Sequence, residues 1–322
     1  MFFSKIKNKH LTFLQCRAYA FVFSNKYIFP LLDMLLAPSF EKKLKYPPVF
    51  IIGAPRSGST LLFQVVTDAL DVGYISNRHC QWFGAPALAE YFFHPLVNKP
   101  VSDYQSNHGT TCGAYAPAEC GNWWYRFFRR NPSYVTLDDV DPKKMQAFRR
   151  SIAALTNALD RPIVFKNLYA SLRIQPIAKY IPESLFIVIH RDEVENGHSL
   201  LEARYKRFGD YTSWFSMEPP EVEKLKALSP HEQVTEQIRH IHMTIDNDMQ
   251  TAGVASKCRF DLGYEEFCTD PSEKINAIQS FLELHDCQIT RRSSSIPEHF
   301  NLRNEIRIDQ QLYQAMKSYS NE

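Results

Sequence analysis

One stretch, Val49 to Leu62, constrains the fold of this chain more than any other. Val49, Phe50, Ile51 and Ile52 form an apolar, β-branched run of the kind that makes a buried strand. Gly53, Pro55 and Gly58 then break the run, and Leu61 to Val66 resume it as an expected helix. A strand, a glycine turn and a helix start direct backbone N–H groups and the positive end of a helix dipole at one point. That is an anion site. Pro55, Arg56, Ser57, Gly58, Ser59 and Thr60 make up the turn, supplying hydroxyls and one fixed positive charge.

Gly53 and Gly58 are spaced as in the nucleoside-triphosphate loop G-x-x-x-x-G-K-[ST], but Ser59 stands where the lysine belongs. The cation has moved into the turn, as Arg56. A kinase of a small hydroxyl substrate is therefore the weaker enzyme reading, because its contact to the terminal phosphates is lost. A non-catalytic nucleotide- or glycan-binding module is the reading from another class. The pattern P-R-S-G-S-T resembles the 5′-phosphosulfate loop of sulfotransferases that use 3′-phosphoadenosine 5′-phosphosulfate (PAPS).

Strands and helices alternate beyond the loop. Strands are expected at 74–76, 162–167, 184–192 and 257–262, and helices at 57–70, 142–159, 171–180, 193–206, 229–252 and 271–284. This rhythm predicts an α/β fold: a P-loop-like, mainly parallel sheet with helices on both faces, as one domain over 46–322. Residues 77–135 break it with aromatics, prolines and glycines, which predicts an irregular substrate insert. Three strands end in cations, Arg56, Lys166 and Arg191, and a parallel sheet gathers such ends on one edge.

The resemblance to PAPS sulfotransferases extends over most of Pro48 to Leu284. Arg191 and Ser199, eight residues apart, resemble the pair that holds the donor's 3′-phosphate. Phe165-Lys166-Asn167 is similar to the strand whose cation touches the sulfuryl group in flight, and Asp261 to Phe267 with Pro271 and Phe281-Leu282 to the family's C-terminal pattern. Arg291-Arg292-Ser293 stands where many members close a basic loop over the nucleotide, which nominates Arg292. Ala116 to Trp124 resembles bacterial surface-glycan enzymes, so a saccharide or other small hydroxyl acceptor is implied, with Trp123 and Trp124 as stacking platforms. The resemblance implies PAPS as donor, 3′-phosphoadenosine 5′-phosphate as product and no metal.

Two departures matter. Arginine replaces the loop lysine of the cytosolic branch, and Asn77-Arg78-His79 stand where the tyrosyl-protein branch carries its base. Two candidates for the base remain open. Glu119 lies beside the tryptophans, and His79 ends a strand with a side chain type that exchanges protons near neutrality. Asp192 is expected to pair with Arg191, and Arg204, Lys206 and Arg207 to form a solvated face.

Composition sets the outer limits. With 37 basic and 35 acidic residues the net charge is +2, so nothing draws the chain to nucleic acid. Seven cysteines without a C-x-x-C pair suit a reducing, cytoplasmic setting. Residues 1–45 alternate basic and apolar positions: Lys5, Lys7 and Lys9, then apolar runs interrupted by Arg17, Pro30 and Asp33. Neither run reaches the ~20 apolar residues of a membrane span. An amphipathic helical segment is expected, and the pattern favours packing on the domain over peripheral contact with an anionic membrane. The oligomeric state is not legible.

Overall fold

The computed structural model describes residues 13–37, 43–93, 102–105, 111–292, 296–302 and 305–321. Five parallel strands form its sheet: β1 (Val49–Gly53), β2 (Gly73–Tyr74), β3 (Ile163–Lys166), β4 (Leu185–His190) and β5 (Arg259–Gly263), in the order β2-β3-β1-β4-β5. Every residue of β1 is buried, as the unbroken apolar run requires of a central strand. Gly53 is paired with Ile189 in register, and a Cβ there would lie 2.6 Å from the Ile189 carbonyl. Only glycine fits that position.

Fourteen α-helices surround the sheet among the described residues. The first five are α1 (Phe13–Tyr27), α2 (Phe29–Leu36), α3 (Ser59–Ala69), α4 (Asn77–Gln81) and α5 (Pro86–Phe93). Then come α6 (Gly121–Trp124), α7 (Pro142–Leu159), α8 (Ile174–Tyr180), α9 (Glu193–Phe208) and α10 (Val222–Leu225). The last four are α11 (Pro230–Thr251), α12 (Tyr264–Thr269), α13 (Pro271–Glu283) and α14 (Gln310–Ser320). Helices α3 and α13 pack together on one face; α8, α11 and the 3₁₀ turn Leu168–Leu172 cover the other. Ile238, Ile241, Ile245 and Met249 of α11 are core residues, as their helical spacing predicts.

Residues 77–135 are less irregular than their composition suggests, since α4, α5 and α6 lie within them. Helices of one or two turns are too short to print a periodicity. The segment's later aromatics, Trp123, Trp124, Phe127 and Phe128, go into the core. Trp123 and Trp124 are 0% and 1% exposed, so the expectation that they stack on a sugar is corrected. Trp123 instead stacks on Phe165 of β3 at 5.5 Å, and its Nε1 donates to Ser151 Oγ at 3.1 Å.

At the amino end, α1 and α2 form a hairpin on α5. Asn25 Oδ1 accepts from the Gly84 N–H at 2.9 Å, and Asp33 Oδ1 from the Leu88 N–H at 2.9 Å. Of the expected basic residues of this segment, Lys5, Lys7 and Lys9 lie outside the described residues. All seven cysteines are free thiols.

Candidate active site

The chain runs from β1 toward β2 and β3 on one side and continues to β4 and β5 on the other. That reversal opens a crevice above the carboxyl ends of the strands. A cleft of about 380 Å³ occupies it, within the range of small-ligand sites. Arg56, Lys166, Arg191, Ser199 and Glu119 all line it.

The loop between β1 and α3 is held from several sides. Gly58 (φ +89) is the N-cap of α3, with no side chain capping it. The N–H groups of the first helical turn have no partner within the helix, so Ser59 and Thr60 present donors to the cleft. Arg56 takes φ +67, a left-handed conformation uncommon for a residue with a side chain. Three tertiary bonds hold it: Arg191 Nη1 donates to the Arg56 carbonyl at 2.9 Å, Asn196 Nδ2 to the Pro55 carbonyl at 2.9 Å, and Arg56 Nε to Ser199 Oγ at 3.1 Å. Ser171 adds a fourth tie by bonding both the N–H and the carbonyl of Gly53 at 3.0 Å. The ring of Tyr264 covers Gly58, where a Cβ would lie 2.1 Å from it, and Arg191 sits 4.9 Å from that ring's centroid.

Lys166 ends β3 almost wholly buried, and such a charge needs a partner. It has two: Nζ donates to Thr60 Oγ1 at 3.1 Å and forms an ion pair with Glu119 Oε1. Glu119 is itself about one third exposed, open to the cleft. Tyr104, Tyr169, Leu168, Leu61 and Phe300 also line the cleft. Burial pushes the phenols of Tyr104 and Tyr264 up to about 12, so both rings stay neutral hydrogen-bonding walls.

Several expectations are corrected. His79 does not line the cleft: it is fully buried, its Nδ1 bonds the Ser76 N–H at 3.0 Å, and its Nε2 meets Glu90 at 3.1 Å. Those bonds cap α4 and tie it to α5. Arg292 lies at the opposite edge of the sheet, bonded to Asp71 just before β2 at 3.1 Å. Its own N–H pairs with the Ala69 carbonyl at the end of α3, which draws it away from the strand ends. Ser293 lies outside the described residues. Ser57 is buried beneath the loop, its hydroxyl without a partner, and does not line the cleft. Asp192 caps α9 by accepting from the Glu195 N–H at 2.9 Å, leaving Arg191 to the loop. Arg204 is fully buried on Gln233 and Gln237, while Lys206 and Arg207 are exposed.

No motif points to Arg307, yet among the described residues it is the late arginine that lines the cleft. Its N–H donates to His198 Nε2 at 3.0 Å, and its guanidinium lies 3.6 Å from Glu202. Helix α14 anchors it by burying Met316, which sits against Gly197 of α9. No spacing rule links residues 109 positions apart, so only the fold could reveal the pair.

A model described as the sulfotransferase family matches residues 47–287. Two proteins named omega-hydroxy-beta-dihydromenaquinone-9 sulfotransferase Stf3, from Mycobacterium bovis and Mycobacterium tuberculosis, are each 22% identical to this chain over 289 residues, covering 80% of it and 69% of their own length. The crystal structure of sulfotransferase STF9 from Mycobacterium avium is similar in fold, with a TM-score of 0.53 at 13% identity, covering 96% of this chain and 77% of that one.

Proposed function

This chain belongs to the sulfotransferase family, and from that premise we propose that it moves a sulfuryl group from PAPS to the hydroxyl of a small acceptor. One observation carries the reading. An uncapped helix N-terminus, Arg56, Lys166 and Arg191 face one cleft that also contains a carboxylate, Glu119. The residues fit a nucleotide that carries anionic groups at both its 3′ and 5′ positions. Arg191 Nη1 is engaged by the Arg56 carbonyl, while its Nε is buried without a hydrogen-bond partner and is a donor suited to a phosphate oxygen.

PAPS supplies the sulfuryl group; the residues of this chain hold, orient and exchange a proton. The N–H groups at the start of α3, with Ser59 and Thr60, bind the 5′-phosphate and stabilise its negative charge as it leaves. Arg191 and Ser199 take the 3′-phosphate, and Arg307 closes the far side. Arg56 and Lys166 donate to the sulfuryl group and to the bridging oxygen, where negative charge develops as its bond to sulfur breaks. Glu119 accepts the proton of the acceptor hydroxyl as its oxygen bonds to sulfur. The ion pair with Lys166 holds that carboxylate ready, and an entering hydroxyl would slide between the two.

For the acceptor we favour an alcohol with an apolar body over a saccharide. Both tryptophans expected to be sugar platforms are core residues, while leucine, phenylalanine and tyrosine side chains line the cleft. The relatives named for a hydroxylated menaquinone are consistent with that choice. Calorimetry with 3′-phosphoadenosine 5′-phosphate, without metal and against ATP-Mg²⁺, tests the donor. Equal or tighter binding of ATP-Mg²⁺ would return the chain to the kinase reading. Mass spectrometry of alcohols and sugars incubated with PAPS then separates the acceptor classes.

A further inference from the structure

The hairpin of α1 and α2 is built inside out. Its buried side chains are polar: Asn25 is 0% and Asp33 1% exposed, each bonded to a backbone N–H of the domain. Its outward positions are apolar. Leu35 is 71% exposed, Leu36 59% and Leu31 56%, with Phe23, Val22 and Ile28 also open. The surface continues onto α5, where Phe92 is 74% exposed and Phe93 packs 5.7 Å from Trp82, which stacks on Phe29 of α2. Water is a poor partner for such a face.

We infer that the face formed by α1, α2 and the end of α5 docks on an anionic phospholipid bilayer. Charge selects that partner. Residues 13–37 carry the cations Arg17 and Lys26 and one acid, Asp33, which is turned inward; Glu90 of α5 is likewise turned onto His79. The chain preceding α1 adds Lys5, Lys7 and Lys9. Leucine and phenylalanine edged by lysine and arginine match an acyl boundary beneath anionic headgroups. A second copy of this chain would set those cations against each other. No helix of the described residues is long and apolar enough to cross a membrane, so the contact is interfacial.

Sedimentation of the full chain with sonicated vesicles tests this. We expect partitioning onto phosphatidylcholine vesicles containing phosphatidylglycerol, and several-fold less onto phosphatidylcholine alone. Leu35→Glu and Phe92→Glu replace side chains that are already mostly exposed, so circular dichroism should be unchanged while partitioning falls ~10–100-fold. Lys26→Glu should weaken binding to the anionic vesicles alone. Three results would overturn the inference. The first is no partitioning of the intact chain. The second is undiminished partitioning of both glutamate variants. The third is a concentration-dependent dimer that Leu35→Glu dissociates without any vesicle binding.

Discussion

The cleft and the amino-terminal hairpin leave opposite things unsatisfied. In the cleft the apolar groups are settled: β1 and β4 are packed on both faces, and the polar groups above them remain open. There, Arg191 Nε is buried without a partner, and the start of α3 has no side-chain cap. In the hairpin the buried polar side chains are anchored, Asn25 and Asp33 each on a backbone N–H with only Asp33 Oδ2 left over, and the apolar groups remain open. Buried polar groups normally find partners and large apolar patches are normally covered. What each region lacks is the ground of the two proposals, an anion at one and a lipid boundary at the other. The two should separate under mutation, with cleft variants altering donor binding or turnover and leaving vesicle binding untouched.

The largest expected break lies at the acceptor end of the cleft. Glu119→Gln keeps the shape of the side chain and removes its basicity. We expect turnover to fall ~10²–10⁴-fold with affinity for 3′-phosphoadenosine 5′-phosphate retained. Lys166→Ala should lose ~10²–10³-fold in turnover, and it also leaves Glu119 without its ion-pair partner. Single-turnover kinetics beside calorimetry tells chemistry from binding. An active Glu119→Gln enzyme would remove that residue from the proton transfer, and the buried His79 could not replace it without unmaking the cap of α4.

Smaller effects are expected among the arginines, and they rank the three candidates for the nucleotide's phosphates. Arg191→Ala removes a charge-assisted contact worth ~10–150-fold in donor affinity. Because Arg191 also holds the left-handed Arg56 through its carbonyl, turnover should fall as well. Ser199→Ala lacks that second role and should act on affinity with less effect on rate. Arg307→Ala, on a partly exposed side chain, should cost ~3–10-fold. Arg292→Ala should leave donor affinity within error, since its partner Asp71 lies at the other end of β2. A loss at Arg292 equal to that at Arg307 would mean that the carboxyl-terminal segment closes differently when donor is bound.

That ranking shows which parts of the site were legible beforehand. Strand ends and the first turn of a helix are local features, so β1, α3 and the convergence of Arg56, Lys166 and Arg191 follow from residue spacing and parallel topology. Arg292 and Arg307 differ in a way spacing cannot express. Both are late arginines, and the closing chain places one on Asp71 and the other on His198. The tryptophans misled for a related reason. An aromatic in an irregular segment looks available to a ligand, but Trp123 is claimed by Phe165 and Ser151, which lie far along the chain. Its neighbours Lys206 and Arg207 mark Arg204 as surface, whereas Gln233 and Gln237 of α11 hold it inside.

The smallest expected effect sharpens the hairpin side of the comparison and depends on pH. Burial raises the Asp33 carboxyl from its ordinary range to about 6, against the lowering effect of the Leu88 N–H and of Arg126. Because the folded value lies above the unfolded one, docking of the hairpin is most favourable at acid pH. That advantage is lost as pH rises through about 6, where an ionised carboxylate must stay buried. The shift caps the effect at ~3 kcal/mol, and water entering a two-helix hairpin should reduce it to about 1 kcal/mol. Hydrogen exchange at the amides of α2, taken as a ratio between wild type and Asp33→Asn at each pH, cancels the intrinsic rate. Asparagine cannot titrate here, so the wild type should lose protection relative to the variant between pH 5 and pH 8. The cleft amides at the start of α3 should show no such trend. A ratio that stays flat in α2 would mean that Asp33 reaches solvent, and the polar anchor of the inside-out hairpin would then rest on Asn25 alone.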